Sequence, residues 1–225
     1  MTQPLPPPED LARLLYTSVL SDVLDSFGLM HQALKPFVRP LDETLVLFGR
    51  VRTGRYERLQ PGASVPAGHN PYELEMTLID DLKPGEVAVL ACGGPTDWIA
   101  PWGELLSTAA RARKSAGCVT DGLVRDVARI RAMGFPVFHG GIGPLDTKGR
   151  AEMMEMDTEV TIAGARANSG DWIFGDVDGV VVIPAAQADT IFRTALDKVL
   201  AEDQTRAELE AGDSLRAVFA RHGVL

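Results

Sequence analysis

Hydrophobic residues near the start of the chain recur with the period of a helix. Five of them fall on one helical face and are followed by a glycine: Val19, Leu20, Val23, Leu24 and Phe27, then Gly28. This spacing predicts an amphipathic helix that ends at the glycine. The Pro-rich residues 1–8 before it are interpreted as a frayed lead-in. We take residues 1–17 together as a lead-in to the domain that follows.

The middle of the chain alternates short apolar runs with amphipathic stretches. Strands are predicted at residues 45–52, 86–92, 118–120 and 136–138. Helices are predicted at 102–116 and 124–133, and a turn at 81–85. Short buried strands that alternate with helices are typical of α/β organisation.

The last part of the chain predicts strands and then helices. Apolar runs at 159–162, 172–174 and 179–183 indicate strands separated by turns. A helix follows over 185–210 and ends at Gly212, and Asp213-Ser214 caps a last short helix. Since no repeat or long linker divides the chain, we expect a single α/β domain over 18–225 with C-terminal helices.

Composition and charge narrow the class of protein. The 225 residues are 45% hydrophobic and 24% charged, which allows a sizeable core and excludes wholesale disorder. The 22 Lys and Arg are scattered and outnumbered by 31 Asp and Glu, so we expect no nucleic-acid or anionic-membrane partner. No apolar run approaches the roughly 20 residues of a membrane span, and the N-terminus lacks a signal-peptide pattern. We therefore expect a cytoplasmic protein.

Cysteine and histidine give little sign of a metal centre. Cys92 and Cys118 lie in apolar runs and are interpreted as small buried residues. His69 is interpreted as a turn residue, whereas His139, which follows a strand, is the better candidate to line a cavity. Neither histidine belongs to a spaced zinc motif. The Asp- and Gly-rich residues 175–179 are predicted to be a turn between strands rather than a calcium loop.

One candidate for chemistry is the predicted helix start Gly103-Glu104-Leu105-Leu106. The first amides of a helix have no partner inside it and carry the positive end of its dipole, so a carboxylate can bind there. An acidic residue at a helix start is by itself more often a simple cap.

A second candidate is the pair Arg125-Asp126, which follows a predicted short strand. Arginine can hold a carboxylate through two hydrogen bonds, and aspartate supplies a hard oxygen ligand for Mg²⁺. Such a pair is by itself more often a surface ion pair. Because both segments follow neighbouring strands, they can converge on one small anion.

Five segments together resemble the RraA-like family. They are residues 70–85, which start with NPYE and end with IDDLKPG, 102–110, 121–126 (DGLVRD), 134–138 (GFPVF) and 175–184 (GDVDGVVVIP). The resemblance covers about residues 18–220 and implies the β/β/α swivelling-domain fold of that family. The family contains 4-hydroxy-4-methyl-2-oxoglutarate aldolases and oxaloacetate decarboxylases, and also a regulator of ribonuclease activity.

The resemblance also implies roles for individual residues. Its active members have a carboxylate, twenty residues, then Arg-Asp, which here are Glu104, Arg125 and Asp126. Asp126 would bind a divalent cation, Mg²⁺ or Mn²⁺, and Arg125 would hold the pyruvyl group. Glu104 would act through water on the metal, although the family commonly has aspartate there. The substrate carboxylate would bind the amides of Gly103, Glu104, Leu105 and Leu106.

The chemistry fits these residue types. Retro-aldol cleavage and decarboxylation of a 2-oxo acid both leave a pyruvate enolate, which a divalent cation and a fixed guanidinium stabilise. A Schiff-base aldolase would need an activated lysine. The candidate lysines lie in predicted turns or on helix surfaces: Lys83, Lys114, Lys148 and Lys198. We therefore expect a divalent-metal-dependent lyase acting on a 2-oxo diacid. A lyase for another pyruvyl compound and a non-catalytic regulator of a ribonuclease stay open as alternatives.

The resemblance further implies assembly into a homotrimer or homohexamer. An apolar face on the C-terminal helices is available for such contacts. In the aldolases of the family, a glutamate from a neighbouring subunit completes the metal site. Glu202 and Glu208 are both candidates for that residue, and the sequence does not choose between them.

Overall fold

A mixed eight-stranded sheet forms the centre of the computed structural model, which describes residues 4–60 and 68–223. The strands are β1 (Arg39–Pro40), β2 (Leu47–Arg58), β3 (Glu86–Ala91), β4 (Gly117–Thr120), β5 (Leu123–Val124), β6 (Val137–His139), β7 (Gly141–Ile142), β8 (Ala151–Met156), β9 (Val160–Ile162), β10 (Ala165–Ala167), β11 (Trp172–Asp176) and β12 (Gly179–Ile183). The sheet order is β1-β6-β4-β3-β2-β11-β12, and β8 also pairs with β2. Strands β2, β3, β4 and β6 run parallel, whereas β1, β8, β11 and β12 join antiparallel.

Helices pack against one face of this sheet, and β9 and β10 pack against the other. The helices are α1 (Pro8–Leu14), α2 (Thr17–Ser26), α3 (Glu73–Asp80), α4 (Glu104–Ala112), α5 (Val127–Met133), α6 (Ala188–Glu210) and α7 (Leu215–His222). Alternate residues of β3 separate two cores, as the two-residue period of a strand requires. Leu90 packs with α3, α4 and α5, whereas Val87 and Val89 pack with β9 and β10.

The N- and C-terminal helices share a third core. Leu11 of α1 is buried together with Leu20 of α2 and Phe192 of α6. The predicted C-terminal helices are confirmed, and Ser214 caps α7 by accepting a hydrogen bond from the Ala217 amide at 3.3 Å. In the part of the chain that the structure describes, no helix combines the length and the apolarity required to cross a membrane.

The predicted single α/β domain with C-terminal helices is confirmed, but several of its element boundaries are wrong. The strand predicted over 45–52 is β2, which continues to Arg58. The helix predicted over 124–133 begins only at Val127, because Val124 belongs to β5 and Asp126 has left-handed backbone angles of 60° and 29°. The helix predicted over 102–116 is shorter, since Trp102 is buried in a bridge to Val124 and the helix ends at Ala112. The sequence pattern also missed α1, α3 and β8.

Candidate active site

The two predicted segments lie side by side. Trp102 and Val124 form a parallel bridge, and the amide of Arg125 donates to the carbonyl of Trp102 at 3.0 Å. The Trp102 ring is fully buried, and its Nε1 donates to Ser107 Oγ at 2.8 Å. These contacts hold the start of α4 next to the Arg125-Asp126 loop.

Gly103 is the point of closest approach between these segments. A Cβ atom on Gly103 would lie 2.9 Å from Asp126 Oδ2 and 3.1 Å from Arg125 Cγ. The backbone of Gly103 is extended (φ −150°), so any residue could adopt its conformation. What the position requires is the absence of a side chain.

Asp126 faces the start of α4. Its Oδ2 accepts a hydrogen bond from the Glu104 amide at 3.2 Å. The first intrahelical bond of α4 runs from the Ser107 amide to the Gly103 carbonyl, so the amides of Leu105 and Leu106 precede the ladder and have no partner within the helix. Of the amides expected to bind a carboxylate, that of Glu104 is therefore already shared with Asp126.

Arg125 extends over the other side of the same cavity. Its Nη2 lies 3.4 Å from Asp146 Oδ1, and Tyr72 donates a hydrogen bond to Asp146 Oδ2 at 2.7 Å. Burial by itself raises the pKa of Asp146, but the Tyr72 hydroxyl and the Arg125 charge outweigh it and hold that pKa below its usual value. Arg125 Nε is buried without a hydrogen-bond partner among the described residues. A buried N–H without a partner is uncommon in folded proteins.

These groups surround a cavity of about 300 Å³. Its lining includes five of the six predicted site residues: Gly103, Leu105, Leu106, Arg125 and Asp126. The side chain of Glu104 does not belong to that lining, and its Oε1 instead accepts a hydrogen bond from Thr108 Oγ1 at 3.0 Å. The role predicted for Glu104 stays a prediction.

A buried carboxyl group, which the sequence analysis did not single out, completes the cavity wall. Glu75, on α3, is 8% exposed, and its Oε2 accepts a hydrogen bond from Tyr56 at 2.5 Å. Burial raises the pKa of Glu75 to about 7. The sequence did contain a signal for the burial of Glu75. Glu75 precedes the buried Leu78 and Ile79 by three and four residues, which places it on the same helix face. For Asp146, in the loop between β7 and β8, no local pattern gives such a signal.

Asp126 fits a partial site for a hard divalent cation. Its carboxylate is exposed at the cavity, and Mg²⁺ commonly binds one or two carboxylates while keeping water and substrate oxygens. Within residues 4–60 and 68–223, no group of three or more His, Cys, Asp or Glu side chains could hold a metal ion by itself. A cation held by Asp126 therefore needs further oxygen ligands from the substrate, from water or from another subunit.

The two glutamates proposed to complete a neighbouring site are both bonded within their own chain. Glu202 accepts a hydrogen bond from the Tyr16 hydroxyl. Glu208 pairs with Arg221 at 2.7 Å and with His222 at 2.9 Å. Either one would have to exchange these partners to bind a cation.

The other residues weighed in the sequence analysis are the histidines, the cysteines and the turn at 175–179. His69 Nε2 lies 2.6 Å from Glu152 Oε1. His139 is buried, and burial, together with the Arg131 charge, lowers its pKa to about 4. Both cysteines are buried, as predicted, and burial raises their pKa values. The predicted turn at 175–179 is confirmed between β11 and β12.

A protein-family model and named relatives match most of this chain. The family model RraA-like (aldolase/RraA) matches residues 17–182. A Halalkalibacterium halodurans protein named "Putative 4-hydroxy-4-methyl-2-oxoglutarate aldolase" is 31% identical over 92% of this chain and 90% of its own length. Protein DlpA of Legionella pneumophila is 30% identical over 87% of this chain, which spans only 30% of DlpA.

The fold is shared with a solved structure. Streptomyces coelicolor RraAS2, described as an unusual member of the RNase ES inhibitor RraA protein family, matches with a TM-score of 0.76. The two are 24% identical, and the match covers 90% of this chain and 99% of RraAS2. With a family model that matches most of its length and a relative 31% identical across nearly all of it, this chain belongs to the RraA-like family.

Proposed function

We propose that this chain is a divalent-metal-dependent lyase that cleaves a 2-oxo diacid through a pyruvate enolate. The reaction is retro-aldol cleavage of the 4-hydroxy-4-methyl-2-oxoglutarate type, decarboxylation of the oxaloacetate type, or both. The observation that carries the proposal is the convergence of Arg125, Asp126 and the start of α4 on one cavity. Family membership and the name of the Halalkalibacterium relative support it.

The substrate carboxylate is bound by the helix start and the arginine. The amides of Leu105 and Leu106 lie at the positive end of α4, which favours an anion. Arg125 lines the same cavity, and its Nε has no hydrogen-bond partner among the described residues. A planar fork of donors suits a carboxylate or a keto oxygen, and its charge stabilises the enolate as it develops.

Asp126 is the residue that would hold the cation. When bound, a divalent cation supplies Lewis-acid stabilisation of negative charge on the 2-oxo acid. The Glu104 amide, 3.2 Å from Asp126 Oδ2, keeps that carboxylate turned toward the helix start. Assembly as a homotrimer or homohexamer would add oxygen ligands from a neighbouring subunit. Exposed Leu200, Leu215 and Phe219 on the C-terminal helices offer an apolar surface for it.

An enzyme explains this cavity better than a purely protein-binding regulator does. A binding surface has no need of a guanidinium group beside helix-start amides in a recess of about 300 Å³. A small anionic ligand explains both features at once.

Pyruvate release from oxaloacetate and from 4-hydroxy-4-methyl-2-oxoglutarate tests the proposal. We expect turnover with Mg²⁺ or Mn²⁺ and none with EDTA, after subtraction of spontaneous metal-catalysed decarboxylation. Asp126→Asn should abolish turnover without unfolding the protein, since asparagine also tolerates the left-handed conformation. Asp81→Asn, at an exposed position outside the cavity, is the matched control and should behave as wild type. Wild-type rates in Asp126→Asn or in EDTA would contradict the metal mechanism.

A further inference from the structure

Glu75 is a carboxyl group in the cavity wall that neither the cation nor the substrate carboxylate requires. It lies in the first turn of α3 and is buried beside Leu78 and Ile79. The Tyr56 hydroxyl, from β2, donates to its Oε2 at 2.5 Å. One oxygen of the carboxyl group is thereby fixed, and Glu75 is among the residues that line the cavity.

The surroundings of Glu75 keep a proton available near neutral pH. Burial disfavours the carboxylate and raises the pKa of Glu75 to about 7, and the negative charge of Asp146 adds to this rise. The Tyr56 hydrogen bond and the Arg125 charge act in the opposite direction. A carboxyl group with a pKa near the working pH can both give and take a proton efficiently.

The neighbouring groups are less suited to this role. Burial raises the pKa of Tyr72 to about 12, and its hydroxyl proton is engaged with Asp146 at 2.7 Å. Asp146 itself has a lowered pKa and is paired with Arg125. Burial holds the pKa of Cys92 well above its usual value.

We propose that Glu75 is the acid that protonates C3 of the pyruvate enolate, an inference that rests on the proposed lyase function. In retro-aldol cleavage the C3–C4 bond breaks, its electron pair forms the enolate, and the C4 hydroxyl proton passes to water. The enolate electron pair then forms a C3–H bond with the Glu75 proton. Water returns a proton to the Glu75 carboxylate, so protons balance overall. In decarboxylation the departing group is CO₂, and the same proton transfer follows.

Tyr56 is a positioning residue in this scheme. Its hydroxyl holds the Glu75 carboxyl group in place and stabilises the ionised form by its hydrogen bond. Removal of that hydroxyl should therefore raise the pKa of Glu75 while leaving the proton that is transferred.

The test compares the two directions of the same proton transfer over about pH 5 to pH 9. Cleavage needs protonated Glu75, so its kcat should fall above about pH 7. Exchange of the pyruvate methyl protons in D₂O, followed by NMR with Mg²⁺ present, needs the Glu75 carboxylate. The exchange rate should therefore rise with pH and level off above about pH 7. The pH profiles of cleavage and exchange should therefore be mirror images that share one pKa. This result is expected if Glu75 transfers the proton, and not if it only supports the structure.

Three variants complete the experiment. Glu75→Gln should slow cleavage and exchange by about a hundredfold. It should also remove the pH dependence of both rates. Tyr56→Phe should keep both activities and shift the pH dependence of both rates to higher pH. Glu73→Gln, on the exposed side of the same helix turn, is the matched control. Circular dichroism checks folding, and if Glu75→Gln unfolds, the Tyr56→Phe shift decides.

The outcomes separate this inference from the proposed function. Suppose that Glu75→Gln keeps the wild-type rates and their pH dependence, while Asp126→Asn loses both activities. This result would overturn the role of Glu75 alone. A folded Tyr56→Phe variant whose rates keep the wild-type pH dependence would do the same. If wild-type protein shows neither cleavage nor exchange beyond that of Asp126→Asn, the lyase function fails and this inference with it.

Discussion

At the scale of single residues, Arg125 differs from an ordinary surface arginine by its unpartnered Nε. The side chain is 37% exposed, its Nη2 lies 3.4 Å from Asp146, and Nε is buried. Arg125→Lys keeps the charge but removes Nε and the planar fork. We expect both a higher KM and a lower kcat, at a cost of about 2–4 kcal/mol in transition-state stabilisation. Steady-state kinetics measure both, and an unchanged kcat/KM would mean that Arg125 does not contact the substrate.

Glu104 provides the contrasting case at the same scale. Its carboxylate bonds Thr108 and does not line the cavity, so any catalytic effect must pass through water. Glu104→Gln should lower kcat more than it raises KM, whereas Glu104→Asp should be tolerated because the family commonly has aspartate there. An inactive Glu104→Asp variant would contradict this role.

At the scale of elements, the site depends on how closely the start of α4 approaches the Arg125-Asp126 loop. Gly103→Ala would place a methyl group 2.9 Å from Asp126 Oδ2, where the carboxylate must turn away. Because the Gly103 backbone is extended, alanine itself is not strained there. We expect a large loss of kcat/KM with little change in Tm, from kinetics and thermal melting of the same sample. Retained activity would show that Asp126 tolerates displacement.

Element order was predictable where a pattern is local, and boundaries failed where tertiary contacts decide. The alternation of short strands with helices gave the α/β class correctly. Asp126 carries no local sign of its left-handed conformation, so the predicted helix was extended back to Val124. Strand β8 was missed because its Glu and Met residues do not form a strongly apolar run. Its strand character comes from pairing with β2, far away in the sequence.

The sequence singled out Arg125 and Asp126 as an adjacent pair after a glycine-assisted turn, and the family resemblance supplied their roles, which stay predictions. Glu75 and Tyr56 come from separate segments, and only the packing of α3 against β2 joins them. Burial, which gives Glu75 its altered pKa, is a property of the assembled fold and cannot be read from any one segment.

At the scale of the whole molecule, Glu75 should make stability depend on pH. Its pKa is about 7 in the folded chain against 4.5 without the fold. Between these values the unfolded chain has released the proton while the folded chain retains it. The free energy of unfolding therefore falls as pH rises through this window and changes no further above about pH 7. The full loss is at most about 3 kcal/mol, at 1.36 kcal/mol for each pKa unit.

Glu75→Gln should remove this dependence, because a neutral amide carries no titrating proton. The difference in unfolding free energy between Glu75→Gln and wild type should grow in favour of the variant from about pH 4.5 to about pH 7 and then stay constant. Any packing difference between the two side chains adds an offset that does not change with pH. Urea unfolding at several pH values and one fixed protein concentration measures it, with Glu73→Gln as the control. A difference that stays flat across this range would show that Glu75 ionises in the folded protein as it does in the unfolded chain.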